Sequence, residues 1–169
     1  MTVKRTDPPL EADERAMLDG WLDYHRATLA WKCDGLTDEQ LRQRSVPPSS
    51  LSLLGLVRHM ADVERSWFRR TLLGEDLANL FSSKDDRDGD FDNVGTADVA
   101  EAFARWREEC DHARRAAAAA ASLDVVGARP DWGRHVSLRW IMLHMIEEYA
   151  RHNGHADLLR ERIDGAVGD

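Results

Sequence analysis

The chain is predicted to be all-α: a four-helix bundle with one long crossover loop, forming a single domain over residues 1–169. Three observations carry this. Four long segments place apolar residues at the three-and-four spacing of a helix face. Capping and helix-breaking residues separate those segments. No segment alternates as a strand should, and no internal repeat is present.

Residues 1–10 read as a loose lead-in, with Pro8 and Pro9 blocking an early helix. The first helix is expected over residues 11–32, with Leu18, Trp21, Leu22, His25 and Leu29 inward, ended by Asp34 and Gly35. Thr37 and Gln40 have the spacing of a capping box and open a short helix that runs to about Arg44. Pro47 and Pro48 stop it, and the serines at 49, 50 and 52 offer caps for a second long helix over residues 53–73. Its stripe is Leu53, Leu56, Met60, Val63 and Trp67, with His59 beside it, and Gly74 ends it. Residues 75–95, rich in acids, read as a solvated crossover. Thr96 is the expected cap of a third helix over residues 97–122, with Val99, Phe103, Trp106, Cys110 and Ala113 inward. Residues 124–135, with Gly127, Pro130 and Gly133, read as a loop. The last helix is expected over residues 137–163, with a frayed tail after Gly165. Trp21, Trp67, Trp106 and Trp140 are expected as core or interface anchors.

The formal net charge of −8 argues against a phosphate-binding surface, so no nucleic-acid partner is expected. No apolar run approaches the ~20 residues of a membrane span, and the polar N-terminus lacks the apolar core of a signal peptide. A soluble cytoplasmic protein is the expectation. Cys33 and Cys110 form no CxxC pair and read as ordinary reduced thiols.

The last helix holds the chemistry. Its stripe of Leu138, Ile141, Met145, Leu159 and Ile163 passes through Glu148, His152 and His155. Glu148 and His152, four residues apart, leave the same face one turn apart and can reach one metal ion. His59 on the second helix is the third candidate. Two imidazoles and a carboxylate make three ligands that leave positions open for water or substrate. Blander readings stand beside this one. Glu148 and His152 could be a surface pair, Tyr149 and Ala156 could be the true core positions, and His59 could be a hydrogen-bonded half-buried residue. His144 and His155 are candidate partners that orient a ligand, or polar residues at the rim of the core, and His25 is a candidate neighbour of the site or a satisfied core histidine. Arg58, Arg139 and Arg151 could hold an anion or be surface charges. Gly154 either permits close backbone approach or is tolerated.

Two stretches, SLLGLVRHMADVERSWFRR at 52–70 and RWIMLHMIEEYARHNGHADLLRERIDG at 139–165, resemble the DinB-like (DinB/YfiT-like) metalloprotein superfamily. The likeness falls in the actinobacterial branch of mini-circle-type proteins, classed as a domain of unknown function. That branch is similar to the bacterial thiol S-transferases that use mycothiol or bacillithiol, and to mycothiol-dependent maleylpyruvate isomerase. Many relatives carry a three-histidine metal set. Carried onto this chain, the set falls on His59, Glu148 and His152, a His-Glu-His form like that of the isomerase. The resemblance implies a divalent metal (zinc first, with nickel, iron or manganese compatible), mycothiol as a co-substrate, a small electrophilic substrate and a homodimer. It implies a metal-dependent thiol S-transferase or isomerase; the alternative is a non-catalytic dimeric bundle that binds metal or a small ligand.

Overall fold

The computed structural model describes residues 4–129 and 133–168. Pro130 and the extreme ends of the lead-in and tail lie outside the described residues. Helix α1, Glu14–Cys33, begins at Asp13, whose carboxylate accepts the Ala16 N–H at 2.8 Å. Its inward face is Leu18, Leu22 and Leu29; Trp21, expected inside, is 42% exposed. Helix α2, Asp38–Arg42, opens on the expected Thr37–Gln40 capping box. Helix α3, Leu53–Glu64, is capped by Ser52 and runs directly into a π-helical segment, Arg65–Leu72. There the Thr71 hydroxyl donates to the carbonyl of Ser66, five residues back, at 2.8 Å.

The crossover is not simply solvated. It contains helix α4, Gly89–Asp92, and a 3₁₀ turn, Asn93–Gly95, and it is tied down on α3. The Asp62 carboxylate accepts the backbone N–H groups of Leu80, Phe81 and Ser82 and the Ser82 hydroxyl. The Arg58 guanidinium donates to the carbonyls of Asp90 and Gly89, both at 2.9 Å. Buried backbone carbonyls need such donors, and α3 supplies them from its own side chains.

Helix α5, Val99–Ala119, is capped by Asp98 rather than Thr96: the Asp98 carboxylate accepts the Glu101 N–H at 2.9 Å. A carboxylate at this position also faces the positive end of the helix dipole. Strands β1 (Val126–Arg129), within the expected loop, and β2 (Arg134–Ser137), which runs past its end to the cap of the last helix, pair antiparallel, Val126 opposite Ser137. Four-residue strands carry too little alternation to announce themselves. Gly127 is required here, because a Cβ would collide with the carbonyl of Thr71 on the π-helical segment. Helix α6, Leu138–Asp164, starts at Ser137 and ends at Gly165, whose φ of 80° is the left-handed cap that glycine favours.

The structure is therefore mostly helical, as expected, with one small hairpin added. Helix α1 runs parallel to α6, fixed by Glu14 with Arg139, His25 with Asn153 and Lys32 with Asp157. Helix α3 runs antiparallel to α6, with His59 against His152, Glu64 against Tyr149 and Trp67 against His144. At the centre sits a saturated polar network. Arg26 forks onto both Glu64 oxygens at 2.8 Å, the Tyr149 hydroxyl donates to Glu64 at 2.8 Å, and the Trp106 indole donates to that hydroxyl at 2.9 Å. No helix among the described residues is long and apolar enough to cross a membrane.

Candidate metal centre

Two elements deliver the donors, and a third holds one of them. His59 leaves α3 at a half-buried position between Met60 and Arg58, and Glu148 and His152 leave α6 one turn apart. The structure brings all three together: one ligand atom from each lies within 4.8 Å of the others. The His59 and His152 rings meet edge to face at 4.7 Å, and His152 Nε2 is 3.5 Å from a Glu148 oxygen. His152 is buried, while the Glu148 side chain retains 18% of its exposure. The set thus lies at the edge of the core, open on one side. Tyr149 and Ala156 are the fully buried positions of this part of α6, as one of the blander readings held.

The carboxylate is ready to act as a ligand. The His152 ring hydrogen-bonded to Glu148 holds its carboxyl below the usual value against the opposing effect of burial, and His144 and His59 add to this. On the other side of His59, Nδ1 lies 2.7 Å from the Asp90 carboxylate. An imidazole that donates its Nδ1–H to a carboxylate turns an unprotonated Nε2 toward the site. Asp90 is itself nearly inaccessible, and Phe91, the next residue, stacks on the His59 ring at 4.8 Å and 28°. Gly55 makes room for that stack, since a Cβ there would lie 3.1 Å from the Phe91 ring.

Sequence reasoning missed Asp90, because it sits within a run of look-alike acids. A signal was present: Phe91 and Val94 are apolar residues in an otherwise polar stretch, which marks a loop that packs back.

The other histidines fall into three situations. His155 Nδ1 is 3.4 Å from His152 Nδ1, and burial with the neighbouring His152 and Arg151 charges pushes its pKa down. His144 Nε2 is 3.3 Å from the second Glu148 oxygen, so His144, Glu147 and Glu148 form a second group that could hold an ion. His25 stands apart, half-buried against Asn153, its pKa lowered by burial. The flanking arginines are engaged: Arg58 on the crossover carbonyls, Arg139 with Glu14 and Asp124, Arg151 with Glu147. Both cysteines are buried, and burial pushes the Cys33 thiol up to about 12 and the Cys110 thiol higher still. Neither is an activated nucleophile. Gly154 admits no close approach; nothing lies within 4 Å of where its Cβ would be.

The family profile described as Mycothiol-S-transferase matches residues 17–165, nearly the whole chain. The chain belongs to the mycothiol S-transferase family. This is a DinB-like family, in keeping with the resemblance carried by the two helices that meet at the site. A comparison with curated proteins finds no match. Membership in the mycothiol S-transferase family makes a low-molecular-weight thiol the expected small-molecule partner and transfer the expected class of reaction. The His59, Glu148 and His152 donor set fits a divalent ion: two imidazoles and an ionised carboxylate on one open side, with a carboxylate behind one ring.

Proposed function

We propose that this member of the family is a divalent-metal-dependent thiol S-transferase, joining a mycothiol-class thiol to a small electrophile at His59, Glu148 and His152. The observation that carries the reading is the convergence of these three donors from α3 and α6, with Asp90 fixing the tautomer of one. Zinc is the first choice of ion, with nickel, iron and manganese compatible with the same donors. When bound, such an ion supplies Lewis-acid charge that favours the thiolate form of a thiol brought to it.

The chain's own residues do the rest. Asp90 and Phe91 hold the His59 ring in place from behind and from one face. Met145, Tyr149 and Ala156, all fully buried, make the rigid floor from which Glu148 and His152 project. The buried, protonated cysteines leave the incoming thiol as the sulfur nucleophile. The same reading takes the four long rods as a DinB-type four-helix bundle in one domain, cytoplasmic and homodimeric.

The test joins metal analysis to a conjugation assay. Purified protein is expected to carry about one divalent ion per chain and to conjugate mycothiol to iodoacetamide faster than the uncatalysed rate, with the gain abolished by chelator. Stoichiometric metal without thiol-dependent turnover would replace the enzyme reading with a metal-binding module. No metal after reconstitution would remove both.

A further inference from the structure

We propose that His155 is a positioning residue of the metal centre: its Nδ1 accepts the Nδ1–H of His152 and so fixes the ring that presents Nε2 to the ion. This rests on His59, Glu148 and His152 as the donor set and adds to it, because the second imidazole gains an orienting partner of its own. His152 and His155 are three residues apart on α6, so their side chains leave the same side of the helix about one turn apart. The two Nδ1 atoms are 3.4 Å apart. The ring centroids are 5.4 Å apart and the planes cross at 65°, an edgewise meeting and not a stack.

The tautomers decide which nitrogen gives and which takes. His152 Nε2 lies 3.5 Å from a Glu148 oxygen, on the side where the donors converge. A neutral imidazole that ligates through Nε2 keeps its proton on Nδ1. That Nδ1–H belongs to a buried residue, and among the described residues its hydrogen-bond partner is His155 Nδ1. A buried donor left without an acceptor is costly. His155 Nδ1 must therefore be the bare acceptor, which puts the His155 proton on Nε2. The arrangement repeats on α6 what Asp90 does for His59, where Nδ1 lies 2.7 Å from a carboxylate. The two partners differ in kind. A carboxylate raises the basicity of the ring it orients, whereas an uncharged imidazole orients its neighbour without that added electron density. The centre then combines one strengthened imidazole, His59, with one that is oriented only, His152.

The test measures zinc affinity of the full-length protein, by competition with a chromophoric chelator, in wild type, His155→Phe and His155→Asn. His155→Phe keeps a ring but offers no acceptor, and it is expected to lower the affinity by about 10–100-fold. His155→Asn carries its side-chain oxygen close to the place of Nδ1 and should keep most of the affinity. Equal affinity in wild type and His155→Phe would overturn the proposal. So would an equal loss in both variants, which would make the residue a packing element. A proton–nitrogen correlation spectrum of the histidine rings in zinc-loaded wild type needs no variant and gives a readout that packing does not move. His155 protonated on Nε2 with a bare Nδ1, beside His152 protonated on Nδ1, supports the proposal. His155 protonated on Nδ1, or bound to zinc through it, overturns it. A wild type that binds no zinc fails at the donor set itself and removes the transferase reading as well, whereas failure in the variants or in the His155 tautomer leaves that reading standing.

Discussion

Glu148 and Tyr149 are adjacent on α6, and they open onto two different kinds of polar chemistry. Tyr149 points into the centre, where Arg26, Glu64 and Trp106 saturate one another and burial pushes the phenol well above its usual range. Glu148 points to the edge, where its carboxylate meets the rings of His59 and His152. A closed network ties α1, α3, α5 and α6 together and has no capacity left for a ligand. The open set contributes less to the fold and keeps donor atoms for something from outside. One step along the helix separates the residues that hold the molecule together from those proposed to do its chemistry.

That contrast predicts opposite responses to mutation. Glu64→Gln removes the buried carboxylate that accepts both arms of the Arg26 fork, leaving only the half-exposed Asp23 on that guanidinium among the described residues, and is expected to cost about 3–5 kcal/mol in chemical denaturation. A loss below about 1 kcal/mol would mean that the centre is not closed. Glu148→Ala should behave the other way. It is expected to shift the stability of the metal-free chain by no more than about 1 kcal/mol. It should weaken metal binding beyond the about 10–100-fold that loss of an outer partner costs; an affinity equal to wild type would place the ion elsewhere. Asp90→Asn sharpens the boundary between the two regions. The amide can no longer hold His59 in one tautomer, so affinity should fall by about 10–100-fold while His59, Glu148 and His152 remain.

The smallest effect belongs to the rim. Glu14 lies beside Arg139, whose hydrogen bond holds the carboxyl below its usual value. A carboxyl lowered in the folded state contributes stability above the ordinary carboxylate range and loses it as pH falls through the lowered value. Glu14→Gln should therefore lower the melting temperature slightly at neutral pH and low salt. The difference should vanish on acidification or in about 1 M salt. A difference that survives both would show that the pair acts through packing instead of charge.

Most of the helical architecture was legible because burial writes a period into a sequence. The stripes of α1, α3 and α6 and the caps at Thr37 and Ser52 were visible without coordinates. The donor set was legible for a related reason: Glu148 and His152 interrupt an apolar face at one-turn spacing, and His59 lies beside another. What escaped was whatever depends on distant backbone. Asp90 matters only because Arg58 and Asp62 fold the crossover onto α3. The hairpin is too short to carry a period, and Gly127 acquires meaning only when Thr71 lies against it. In the π-helical segment the Thr71 hydroxyl reaches the carbonyl of Ser66 and the Leu73 N–H that of Phe68, each five residues back, which no periodicity announces. Trp140 was expected as an anchor, yet its indole is partly displayed, since periodicity places a residue on a face but does not say how much of that face is covered.

The central claim is that one divalent ion sits among His59, Glu148 and His152. A crystal structure of metal-loaded protein, with data collected on either side of the absorption edge of the bound element, tests it most directly. The account predicts a single anomalous peak within coordination distance of His59 Nε2, the Glu148 carboxylate and His152, with Asp90 still on His59 Nδ1. A peak held instead by His144 and Glu147, or no peak from protein shown to contain the metal in stoichiometric amount, would contradict it.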